Sequence, residues 1–126
     1  MPDSPATTPT VHEMVQEAVT AAQDRKAIDV RVLALAEVAD FTDYFLVCSG
    51  ATERQVQAIS DAVEERLRQR GMRPLHVEGY RHGWWTLLDY GDFVFHVFTD
   101  EKRAYYGLER LWADAADVSD RFTHLE

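Results

Sequence analysis

The sequence predicts a single α/β domain, a mixed β-sheet of about five strands with helices packed on it. Three observations predict it. Apolar residues recur at helical spacing in three segments, around 11–22, 56–67 and 105–112. Two short runs, Tyr44 to Cys48 and Phe93 to Phe98, are apolar almost throughout, as strands buried on both faces are. Helical and extended segments also alternate, in the order α-β-β-α-β-β-β-α, which is how layered α/β domains are built.

Residues 1–9 hold three of the four prolines together with Ser and Thr, and read as a disordered leader. Thr10 followed by Glu13 is a capping-box pattern. Behind it Val11, Met14, Val15, Ala18, Val19 and Ala22 form one apolar face of a helix running to about Arg25. Ile28 to Leu35 first alternates and then turns apolar, as a strand does on entering a core. Asp40-Phe41-Thr42-Asp43 is turn-prone, and Tyr44 to Cys48 is a buried central strand that ends at Ser49-Gly50.

Thr52 with Gln55 opens a second helix whose stripe is Val56, Ile59, Ala62, Val63 and Leu67, with Gly71 as its stop. Pro74 to Val77 is the next strand, so that strand, helix and strand describe a crossover between parallel strands. The glycine-containing loop 78–83 leads to a hairpin, Trp84 to Tyr90 and Phe93 to Phe98, turning at Tyr90-Gly91-Asp92, where Gly91 is free to take positive φ. Thr99 or Asp100 caps a last helix from about Glu101, with Tyr105, Leu108, Leu111 and Trp112 at core spacing. The folded domain thus spans 10–112, and 113–126 reads as an acidic, loosely packed tail.

The chain has 126 residues, enough for one domain with a real core, and a net charge of −9 from 22 acidic and 13 basic side chains. That balance argues against a partner held by phosphate contacts or by sequence-specific nucleic-acid readout, and suits a basic protein partner reached by electrostatic steering. A single cysteine, Cys48, permits no disulfide framework and no CxxC metal or redox motif. Neither a signal peptide nor an apolar run of about 20 residues is present, so a soluble cytoplasmic protein with no membrane contact is expected.

Few residues suggest chemistry. Asp89 and Asp92 flank the hairpin turn and read either as a metal or acid–base pair or as turn chemistry, since Asp beside Gly satisfies local backbone donors; the turn reading is preferred. His96 lies inside an apolar strand, and His12, His76, His82 and His124 show no zinc-site spacing. A Cys48–His96 nucleophilic pair on neighbouring strands is conceivable but lacks an orienting group. Ser49-Gly50-Ala51-Thr52 lies between strand and helix, where a phosphate could bind, yet it carries neither GxxxxGK[ST] nor GxGxxG. No cofactor or metal is implied.

The aromatic hairpin is different. Trp85, Leu87 and Asp89 point to one side of their strand, and Trp84, Thr86, Leu88 and Tyr90 to the other. Either helices cover both sides, or one tryptophan belongs to a binding face, to which Tyr80, Arg81 and Arg103 would add.

From about Val11 to Trp112 the chain resembles the ribosomal silencing factor family (RsfS, or Iojap). The likeness rests on Val77-Glu78-Gly79, on Trp85-x-x-x-Asp89-x-Gly91-Asp92-x-x-x-His96, on Arg103 to Tyr106 and on Leu108 to Trp112. It implies a nucleotidyltransferase-like topology without the chemistry, because no Asp-x-Asp pair stands in register here. It also implies a non-catalytic role: binding the large ribosomal subunit through its protein L-fourteen, blocking the small subunit by bulk when nutrients are short, and forming a homodimer when free. The residues expected to meet the partner are Trp85, Leu88, Asp89, Tyr90, Asp92, His96 and Tyr105. Two alternatives stand beside this: an enzyme acting on a nucleotide or phosphate through Ser49-Gly50 and Asp89/Asp92, and a homodimeric scaffold with another partner.

Overall fold

Thr10 and Glu13 close a reciprocal capping box: the Thr10 hydroxyl accepts the Glu13 N–H at 3.1 Å and the Glu13 carboxylate accepts the Thr10 N–H at 2.9 Å. Helix α1 (Val11–Asp24) begins there. The computed structural model describes residues 9–123; of the expected disordered leader only Pro9 lies within it, and residues 124–126 fall outside as well. After α1 come β1 (Ile28–Ala34), β2 (Tyr44–Gly50), α2 (Glu53–Arg68), β3 (His76–Glu78), β4 (Trp85–Asp89), β5 (Phe93–Thr99), α3 (Asp100–Tyr106), α4 (Leu108–Leu111), β6 (Ala116–Asp117) and a 3₁₀ turn at Ser119–Arg121.

The strands form one mixed sheet in the order β3-β4-β5-β2-β1-β6. The single domain is therefore α/β as predicted, with six strands rather than about five. β2 and β5 are its parallel centre, with Tyr44 opposite Phe93 and Gly50 opposite Thr99, while every other pairing is antiparallel. The crossover after β2 differs from the expectation in one respect. β3 does run parallel to β2, but it lies at the far edge, with β4 and β5 between them. The short β3 has no buried residue to claim an interior place; the apolar β5 takes it.

Alternation along the strands sorts side chains into two cores. On one face, Val32, Leu46, Cys48, Leu88, Phe93, Phe95 and Val97 pack with Met14, Val15, Val19, Ile59, Val63 and Leu67 of α1 and α2. Arg66 of α2 reaches Glu17 of α1 at 2.7 Å, and Arg70 bonds the same carboxylate, so the two helices are tied as they lie side by side. On the other face Leu33, Leu35, Phe45, Val47, Val94 and Phe98 form a smaller cluster, flanked by part-buried Ala39, Trp85, Leu87, Leu108, Trp112 and Ala115.

Two elements depart from the sequence reading near the end. The last helix is split, because Gly107 takes the left-handed conformation (φ 57°) that ends α3, and α4 starts anew behind it. Tyr105 and Leu111 consequently leave the core positions assigned to them. Of the stretch after Trp112, the described residues 113–123 are not loosely packed. β6 pairs with Leu33 and Ala34 at the outer edge of β1, the Val32 N–H donates to Ser119 Oγ at 2.8 Å, and Phe122 is buried against His12 and Tyr44. Two apolar side chains, Val118 and Phe122, suffice to dock this segment on α1 and β1, too few to register as a periodic pattern.

Candidate functional site

Antiparallel pairing of β4 with β5 places Trp85 opposite Phe98 and Leu87 opposite His96, all on the sheet face turned away from α1 and α2. The Trp85 ring stacks on Phe98 (4.9 Å between centroids, 26° between planes) and touches Tyr106 at 4.6 Å. Its indole Nε1–H donates to His96 Nδ1 at 3.1 Å. His96 is only 3% exposed, and burial pushes its pKa down to about 3, so the ring is neutral. With Nδ1 accepting, the proton sits on Nε2, which has no hydrogen-bond partner among the described residues.

From this pair the aromatic contacts continue across the face. His96 meets Phe45 at 4.7 Å, Phe45 meets Trp112 at 5.9 Å, and both touch Phe41 (6.0 and 5.8 Å). The periphery is open to solvent: Tyr105 and Leu111 are each 73% exposed, Phe41 57%, and Tyr106 and Val38 42%. A row of large apolar side chains with that much exposure is what protein interfaces are made of. Gly79 keeps the approach to β4 tight, since a Cβ there would fall 2.0 Å from the Trp85 carbonyl oxygen.

The residues expected to meet a partner separate into three groups. Trp85, Asp89 and Tyr105 lie on or beside this face, Asp89 with its carboxylate accepting the Gly91 N–H at 2.8 Å, and Asp92 is exposed at the turn. Leu88 (0% exposed) and Tyr90 (5%) do not: they point under α1 and α2, with Tyr90 stacked on Phe93 at 5.0 Å. His96 is on the same face as Trp85 but buried, accepting the Trp85 indole N–H. Phe41, Val38 and Leu111 are exposed large apolar residues that were not among those expected to meet a partner; Phe41 gave the one signal, a large aromatic in an otherwise polar turn.

The alternative sites dissolve into structural roles. At the junction of β2 and α2 the Ala51 N–H is taken by Gln55 Oε1 (2.7 Å) and the Gln55 N–H by Thr52 Oγ1 (3.1 Å), leaving those donors unavailable to a phosphate. Gly50 is there for packing, since a Cβ would meet Val56 N at 3.0 Å. Arg103 is the hub of this end, donating to Ser49 Oγ (3.0 Å), to the Ile28 carbonyl (3.2 Å) and through Nε and Nη2 to Glu109 (2.9 and 3.0 Å). Cys48 belongs to the helix-covered core and His96 to the opposite face, so they form no pair; burial pushes the thiol pKa up to about 12. Among the described residues no three His, Cys, Asp or Glu side chains converge on a metal site, and no helix is long and apolar enough to cross a membrane.

Comparison with known proteins follows the same lines. The family model described as "Ribosomal silencing factor during starvation" matches residues 8–126. A protein named ribosomal silencing factor RsfS from Halalkalibacterium halodurans is 42% identical over 106 residues, which cover 84% of this chain and 91% of that one. The chloroplastic protein Iojap of Zea mays is 31% identical over 98 residues, 78% of this chain but 42% of that longer one. A crystal structure of a Chromobacterium violaceum protein superposes with a TM-score of 0.81 at 31% identity, covering 83% of this chain and 88% of its own.

Proposed function

Because the chain belongs to the ribosomal silencing factor family, we propose that it represses translation by docking its aromatic sheet face on the large ribosomal subunit. Membership supports a ribosome-associated repressor. The finer reading is that the face binds ribosomal protein L-fourteen and that the bound domain occupies space the small subunit needs in order to join. The observation that carries it is the thinly covered face itself, with Tyr106, Trp85, Trp112 and Phe41 in one band of ring contacts. A net charge of −9 suits a basic ribosomal protein, and Asp92, Asp100 and Glu101, all exposed, provide acidic groups for its rim.

Nothing in this mechanism requires a reaction. Binding and bulk are sufficient, and the occupied backbone donors at the β2–α2 junction support a non-enzymatic reading. In the free protein the same apolar band would serve a second copy of the chain, giving a homodimer that opens on the subunit, and the site of action would be the cytoplasm where subunits join.

Sedimentation tests the reading directly. Purified protein should travel with isolated large subunits, and later addition of small subunits should give fewer joined ribosomes than in its absence. Protein that stays at the top of the gradient while subunits join normally would end the proposal.

A further inference from the structure

Beside Trp85 the sheet edge and the 79–83 loop enclose a cleft of about 300 Å³, lined by Trp84, Trp85, Leu87, Tyr106, His82 and Glu78. Glu78 pairs with Leu87 across the β3–β4 ladder, so its side chain emerges on the same face as Leu87 and Trp85. Among the described residues it forms no ion pair, and the lining contains neither lysine nor arginine. A carboxylate without an ion-pair partner among the described residues therefore stands beside aromatic and aliphatic walls.

The walls are disposed to accept a cation. The Trp85 N–H is spent on His96, so that indole shows the cleft carbon and π surface rather than a competing donor. Trp84 already carries a cation in this structure, with Lys102 Nζ 5.0 Å from its ring centroid. Aromatic faces with one carboxylate favour a flat, weakly hydrated guanidinium over a strongly hydrated ammonium, because the guanidinium stacks on the rings while its paired N–H groups match the two carboxylate oxygens.

We propose that this cleft receives one arginine side chain of a protein partner, stacked on the aromatic wall and ion-paired with Glu78. The proposal rests on the docking reading above and names the group the face would recognise. The full chain, with its tryptophan indoles ¹⁵N-labelled, is titrated with N-acetyl-arginine methylamide and, separately, with the neutral citrulline analogue. The arginine compound should shift the Trp85 indole signal, the citrulline compound should not, and Glu78→Gln, a change at an exposed residue, should abolish the response. In co-sedimentation with large subunits Glu78→Gln should weaken binding about tenfold, the loss expected for one charge-assisted pair, and Glu78→Lys should weaken it further. Equal responses to the two compounds, no response to either, or full subunit affinity of Glu78→Lys would each overturn the proposal. If wild-type protein ignores subunits altogether, the docking reading falls while the titration still decides the cleft. If wild type binds subunits but the titration fails, the cleft falls alone.

Discussion

The two faces of the sheet are made of the same kinds of residue and finished differently. Beneath α1 and α2, Leu46, Leu88, Phe95 and Val97 are wholly buried and two long helices, tied through Glu17, seal them. On the other side Phe45, Val47, Val94 and Phe98 are also buried, but the cover is thin: two short helices without a single buried residue, and six part-buried side chains, two of them alanines. Hydrophobicity alone does not distinguish stability from recognition. The distinction lies in which face has enough helix to close it, and the under-covered face is the one proposed above to meet a partner.

Changes confined to one face should therefore act on different observables. The largest effect belongs to the sealed core: Phe95→Ala should lower unfolding free energy by about 3–5 kcal/mol, read from urea denaturation, and Leu88→Ala by about 2–5 kcal/mol. Its neighbour Leu87, part-buried on the opposite face, should cost clearly less when cut to Ala. Equal losses for the two leucines would erase the contrast.

Next comes pH. The His96 pKa lies at about 3 in the fold because burial penalises the imidazolium, against about 6.5 in an unfolded chain. Below pH 6.5 the unfolded chain takes up a proton that the fold refuses, so this contribution is complete above that pH and falls away beneath it. By pH 5 the stability lost in this way should amount to about 2 kcal/mol. Comparing urea midpoints at pH 7 and pH 5 for wild type and His96→Asn isolates it, and parallel pH dependences would contradict the burial.

Trp85→Ala should weaken large-subunit binding by about 2 kcal/mol or more in a protein that still folds; undiminished affinity would move the docking face elsewhere. Smallest should be Leu111→Ser, which removes a mostly exposed side chain and should change stability by no more than about 0.5 kcal/mol. A stability loss comparable with Leu88→Ala would mean that α4 is far better packed than its exposure indicates.

Most of the architecture was legible in the sequence. The capping residues Thr10, Thr52 and Thr99 and the turn at Gly91 are local devices, and each stands where local chemistry puts it. Period-two alternation likewise separated Trp85 and Leu87 from Leu88 and Tyr90. It could not say which set the helices would cover, because that depends on residues 11–24 and 53–68 packing from a distance, and so Leu88 and Tyr90, which the helices bury, were expected to meet a partner. The same limit hid β6, whose two residues acquire meaning only against the edge of β1, and the far-edge position of β3, decided by the greater apolar content of β5.

The parallel pairing of β2 with β5 also sets the order of events in synthesis. Tyr44 finds Phe93 and Gly50 finds Thr99 across about fifty residues of chain, so the middle of the sheet closes late, and only the two-residue edge pairing of β1 with β6 reaches further along the sequence. β1 and β2 can form their hairpin early, but they then wait with the side of β2 that β5 will occupy unpaired. A chain halted before Phe93 would present that open strand edge to its surroundings, a state prone to aggregation until β5 arrives to fill it.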